Sequence, residues 1–219
     1  MDEVELLYDH YKESFSLSKE AQAQRNKDFI WLCILQALAF FAVIRPEQAF
    51  GLILDGINSK LDMTLSLGNS VIQTLLWTLN TYVMIRYIQN ALYVERQYVY
   101  LKQLEEKLTV QCPNSIFTRE SSHYKKNYPM VLNFIDLFYK MLMPILFAVI
   151  NTVHIHKEWV SLQKITLALV CDMLLYIAIF VITWFYFFEI HSQITAFCKE
   201  HIPLVDKVAT GLRELLKKV

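Results

Sequence analysis

Four apolar runs, at 29–44, 64–88, 130–155 and 162–190, restrict what this chain can fold into. About 20 mostly apolar residues span a hydrocarbon core roughly 30 Å thick, and three of the four runs reach that length. The first is shorter, carries Gln36 as its single polar residue and stops at Arg45-Pro46. Its crossing, 29–45, therefore relies on its flanks, on thin lipid or on snorkelling by Lys27 and Arg45. The chain has 219 residues and is 55% hydrophobic, above the roughly 45–50% of ordinary soluble domains, so little sequence remains for a soluble core. The expected fold is all-α, a single-domain polytopic membrane protein with four transmembrane helices and amphipathic helices forming a cytosolic base.

The distribution of Lys and Arg sets the expected orientation. Lys12, Lys19, Arg25 and Lys27 precede the first run. Arg86, Arg96, Lys102, Lys107, Arg119, Lys125 and Lys126 fill the central connection and its edge, and Lys199, Lys207, Arg213, Lys217 and Lys218 the tail. The other two connections hold only Arg45 and Lys60, then Lys157 and Lys164. This pattern predicts a multi-pass protein of the bacterial inner membrane with both termini and the central connection in the cytoplasm. The acidic opening MDEVE has neither a basic region nor a cleavage site of the signal-peptide kind. Cys33, Cys112, Cys171 and Cys198 form no CxxC pair, so free thiols are expected and a zinc site is not.

Between the crossings the helical periodicity continues. Residues 1–28 read as an amphipathic cytosolic helix and 47–61 as a short helix at the outer interface. The second crossing, 64–88, runs on through Ala91, Val94, Tyr98, Leu101, Leu104 and Leu108 toward Pro113, predicting one helix of about 70 Å at 1.5 Å per residue. That stripe suits packing within the chain or an oligomerisation stalk equally well. The segment 89–128 is the cytosolic extension and loop, Pro129 opens the third crossing (130–155), the fourth covers 162–190, and 191–219 closes as an amphipathic helix.

Charges inside hydrocarbon are costly and face protein or water. Asp136 and Lys140 lie one turn apart on the third crossing and Asp172 lies on the fourth. A hairpin turning near Lys157 would bring Lys140 to the depth of about 174, predicting a charge cluster of Asp136, Lys140 and Asp172 neutralised by pairing. Such a cluster either locks two helices in register or lines a gate, with Pro144 permitting a kink. Asn80, Asn133 and Asn151 add polar surface that bridges helices or lines a narrow aqueous path. Arg119, His123, Lys125 and Lys126 in the central connection are suited to a cytosolic anionic ligand or to acidic lipid headgroups. His154-x-His156 lacks a third ligand for a metal. The chain has four glycines and no Walker A, GxGxxG or GxSxG pattern, so neither an enzyme, a cofactor nor a direct nucleic-acid motif is expected.

The segments YDHYKESF at 8–15 and RNKDFIW at 25–31, the latter running straight into the first crossing, resemble small multi-crossing membrane effectors of bacterial antiphage defence. The likeness is to SLATT-type effectors and to membrane subunits that work beside a sensor or nucleotidyltransferase. Members usually have two crossings, where this chain has four apolar runs. The resemblance implies a homo-oligomeric inner-membrane effector that permeabilises or depolarises the membrane when a cytosolic sensor, nucleotide signal or partner triggers it. A non-conducting scaffold or sensor subunit that recruits a cytosolic partner is the alternative, and a small transporter a third class, although the halves lack an internal repeat.

Overall fold

The computed structural model describes residues 3–61, 68–112, 130–161 and 165–190, apart from the side chains at 61, 132, 133, 136, 140 and 188–190. Every element among them is helical. Helix α1 (Glu3–Ile44) is continuous over 42 residues, so the amphipathic N-terminal segment and the first apolar run form one rod about 63 Å long. It ends where Pro46 disfavours helical geometry at Arg45, and Pro46 opens α2 (Pro46–Leu61) from a first-turn position where its missing N–H costs nothing. Helix α3 (Asn69–Gln111) spans 43 residues and ends at Cys112, whose N–H bonds the Leu108 carbonyl at 2.8 Å just before Pro113.

The third apolar run is a continuous helix with a defect. Helix α4 (Met130–Leu137) passes through a five-residue π-helical segment (Phe138–Leu142) into α5 (Met143–Ser161). Met143 N–H bonds the Phe138 carbonyl, five residues back. Pro144 lacks the N–H that would continue the ladder to the previous turn, and widening that turn accommodates its ring. The last helix, α6 (Leu167–Ile190), starts at Thr166, whose hydroxyl accepts the Leu169 N–H at 3.3 Å as an N-cap.

Cross-helix contacts define an up-down-up-down arrangement. Tyr11 meets Glu105, Asp28 meets Asn90 and Gln36 meets Asn80, so α1 and α3 are antiparallel. Thr152 meets Tyr176 across α5 and α6, again antiparallel. Phe29 packs near Phe147, and Lys157 donates to the Val43 carbonyl, which sets α5 parallel to α1. Leu32, Trp77, Met84, Phe147 and Ile179 fill the centre, while α2 closes one end through Ala49 and Phe50 against Ala42, Ile72 and Leu76.

The bundle is inverted relative to a water-soluble protein. Among the described residues, α6 buries Asp172 and Thr183 yet exposes Leu174, Ile177, Phe180, Val181, Trp184 and Phe185. Contiguous exposed apolar surface of this kind is rare on soluble monomers. Windows within Glu3–Ile44 and Leu167–Phe187 are long and apolar enough to cross a membrane, and only 28% and 22% of them are buried, unlike a soluble core helix. This pattern associates the protein with a membrane. Against the four crossings expected, two helices meet the length and composition requirement. The other two runs are diluted by polar residues such as Gln73, Thr74, Asn80 and Thr81 on α3 and Asn151, His154 and Glu158 on α5.

Candidate functional site

The polar side chains those two helices carry are turned inward and stacked as a column. At its centre Gln36 donates to Asn80 Oδ1 at 2.9 Å, Asn80 donates to Asn151 Oδ1 at 2.8 Å, and Asn151 donates to the Phe147 carbonyl at 2.8 Å. All three side chains are 3% exposed or less, and the chain of amides ties α1, α3 and α5 together. Asn80→Ala deletes two interhelical bonds and strands Gln36 and Asn151. Membrane interhelical bonds average about 0.6 kcal/mol and reach about 1.7, so the expected loss is about 2 kcal/mol in a reversible unfolding titration from detergent micelles, whereas Asn80→Asp should lose less.

Toward the hairpin where α5 turns into α6, the column becomes acidic. Trp77 is buried, stacks on His154 with ring centroids 4.9 Å apart and donates its indole N–H to Glu158 Oε2 at 3.2 Å. Glu158 faces Asp172 of α6, and Asp172 Oδ2 accepts from the Thr74 hydroxyl at 3.2 Å. Asp172 Oδ1, like Gln36 Oε1, is buried without a hydrogen-bond partner among the described residues. No salt bridge neutralises either carboxyl among those residues.

In the other direction the column stops at an apolar plug. Phe29, Met84, Tyr87, Ile88, Tyr139, Met143, Pro144, Phe147, Thr183 and Tyr186 surround a void of about 10 Å³, no more than about one water needs. The π-helical turn delivers Tyr139 to this plug, edge-on to Phe29 at 5.1 Å. Beyond it, polar groups resume: Asn90 donates to Asp28 Oδ2 at 2.5 Å and Gln24 donates to Asp28 Oδ1 at 2.9 Å.

The expected meeting of Lys140 with Asp172 does not fit this register. Helix α5 runs on to Ser161, so the hairpin turns between 161 and 167 rather than near Lys157, and Asp172 lies beside Glu158. Lys140 is 18 residues before Glu158, about 27 Å along a helix. The side chains of Asp136, Lys140 and Asn133 lie outside the described residues, as do Arg119, His123, Lys125 and Lys126 and the C-terminal segment 191–219. Pro144 sits at the end of the π-helical segment. Of the polar residues singled out in the sequence, Asn80, Asn151 and Asp172 fall in the column. Gln36 was noted only as an interruption of its run, and Trp77, Glu158 and Asp28 were missed. The spacing Asn151, His154, Ile155, Glu158 is the signal that would have found the acidic end, because it continues one helical face past the third run. Comparison with protein-family models, with curated proteins and with solved structures returns no match.

Proposed function

We propose that the protein is a homo-oligomeric membrane effector that permeabilises or depolarises the bilayer when a cytosolic signal or partner opens it. In this reading all four long helices cross, α3 and α5 being sheltered by the more apolar α1 and α6, and both ends lie on the cytoplasmic face. The up-down-up-down order and the basic central connection support that topology. One observation carries the reading: a buried polar column that stops on a dry apolar plug. Polar side chains provide a path, and an apolar constriction blocks it by excluding water. The protomer's interior is packed, so conduction belongs to a rearranged or oligomeric state in which the plug is displaced at the π-helical turn. The resemblance of residues 8–31 to antiphage effectors supplies the setting.

A second reading, a non-conducting scaffold or sensor, draws on the α1 and α3 ends that pair well away from the column. There His10 bonds Tyr100 at 2.6 Å and Tyr11 donates to Glu105 at 3.0 Å, forming a rod on which a partner could dock. Inducible expression in bacteria loaded with a potential-sensitive dye separates the two. Loss of potential on triggering, or in a plug-opened variant without any trigger, is expected of the effector. Unchanged potential in both contradicts it.

A further inference from the structure

The two carboxyl groups at the hairpin end lack a counter-charge, and this carries an inference that does not depend on conduction. Asp172 is 0% exposed and Glu158 6%. Their partners are neutral dipoles: the Thr74 hydroxyl on Asp172, and the Trp77 indole and Gln73 amide on Glu158. Such donors steady one negative charge in a low-dielectric site, whereas two carboxylates side by side repel.

The surrounding elements supply no cation among the described residues. On α5 the His154 ring is buried flat against Trp77, and Lys157 is turned away to the Val43 carbonyl. Helix α3 has no ionisable residue between Asn69 and Thr81, and α1 has only Cys33 between Phe29 and Ile44. On α6 the nearby titratable groups are Cys171 and Tyr176, while Arg45, Glu47, Asp55 and Lys60 near α2 are exposed. Lys164 lies outside the described residues. The unpartnered, fully buried Asp172 Oδ1 is the position where a hydrogen-bond donor is missing.

We propose that Glu158 and Asp172 form a binding site for one hydrogen ion, held between the two carboxyl groups. The ion joins one carboxylate as a carboxylic acid, and its O–H donates across the pair so that Asp172 Oδ1 gains its partner. The pair then carries a single negative charge, spread over the acceptors that Thr74, Trp77 and Gln73 already serve. The same oxygens would suit a sodium ion, a hard cation, which the test distinguishes.

Infrared spectroscopy of the full chain in lipid nanodiscs reads the site directly. At neutral pH the wild type is expected to give a protonated-carboxyl carbonyl band that is lost in Glu158→Gln and lost or shifted in Asp172→Asn. Both substitutions imitate a protonated carboxyl in shape and hydrogen bonding, so the fold is expected to survive. Thermal unfolding gives a second readout. A folded state that holds a proton the unfolded chain releases loses stability as pH rises, and Glu158→Gln should flatten that dependence. The proposal is overturned if the wild type has no such band, if the band is unchanged in both variants, if sodium abolishes it at constant pH, or if it appears only after Lys164→Gln.

Discussion

Phe147→Asn is expected to depolarise cells without any trigger, while Phe147→Ala is expected to leave them largely polarised. Phe147 is 4% exposed, packs near Phe29, and its carbonyl accepts from Asn151, so it is the residue where the polar column meets the plug. Truncation to alanine leaves an apolar hole, and apolar holes of even about 150 Å³ stay dry. Asparagine instead places donors and acceptors beside Asn151, extending the wettable path into the plug. If dewetting holds the closed state, removing about 1.4 kcal/mol of that barrier raises the leak on the order of tenfold. The readout is the decay of a potential-sensitive dye signal at matched membrane protein levels. Equal leak from both variants would point to general misfolding, and no leak from either would remove the plug from the mechanism.

Trp77→Ala is expected to produce the largest loss of stability, about 3–5 kcal/mol, as for other buried aromatic truncations. The residue is 1% exposed and joins three elements: it stacks on His154, meets Tyr176 edge-on at 6.2 Å and bonds Glu158. Trp77→Phe retains most of the ring but removes the indole N–H, isolating the polar part of the role. Its expected cost is about 1–3 kcal/mol, the range for a buried acceptor left short of a donor. Circular dichroism during titration from mild to denaturing detergent measures both. A phenylalanine variant as stable as wild type would show that Glu158 does not depend on the indole.

Helix content and the large divisions of the chain were readable from periodicity and from Pro46, Pro113 and Pro144, because apolar spacing and proline act locally. The α1 and α3 rods were readable for the same reason. The site was legible only in part. Asn80, Asn151 and Asp172 stand out as polar residues in apolar runs, but their partners depend on the register between helices, which a single sequence does not fix. The hairpin illustrates this. Hydropathy falls at His154, His156, Lys157 and Glu158, suggesting a turn, yet those residues remain helical to Ser161 because His154 and Glu158 are satisfied inward by Trp77 and Asp172. Tertiary contacts overrode the local polarity, and the whole α5–α6 pairing moved with them. The π-helical turn was equally hidden, since Pro144 announces a disturbance without specifying its form.

The account rests on a bundle whose outer face is solvated by lipid and whose polar groups face inward. Nitroxide labels on single cysteines at Leu174, Ile177 and Val181 of α6, compared with one at Ile179, test this in reconstituted membranes. The first three positions are exposed and Ile179 is 2% exposed. Collision with dissolved oxygen, which concentrates in hydrocarbon, should be high at 174, 177 and 181 and low at 179, with a water-soluble nickel chelate excluded from all four. Access of the nickel chelate to 174, 177 and 181 would place that face in water and contradict the account.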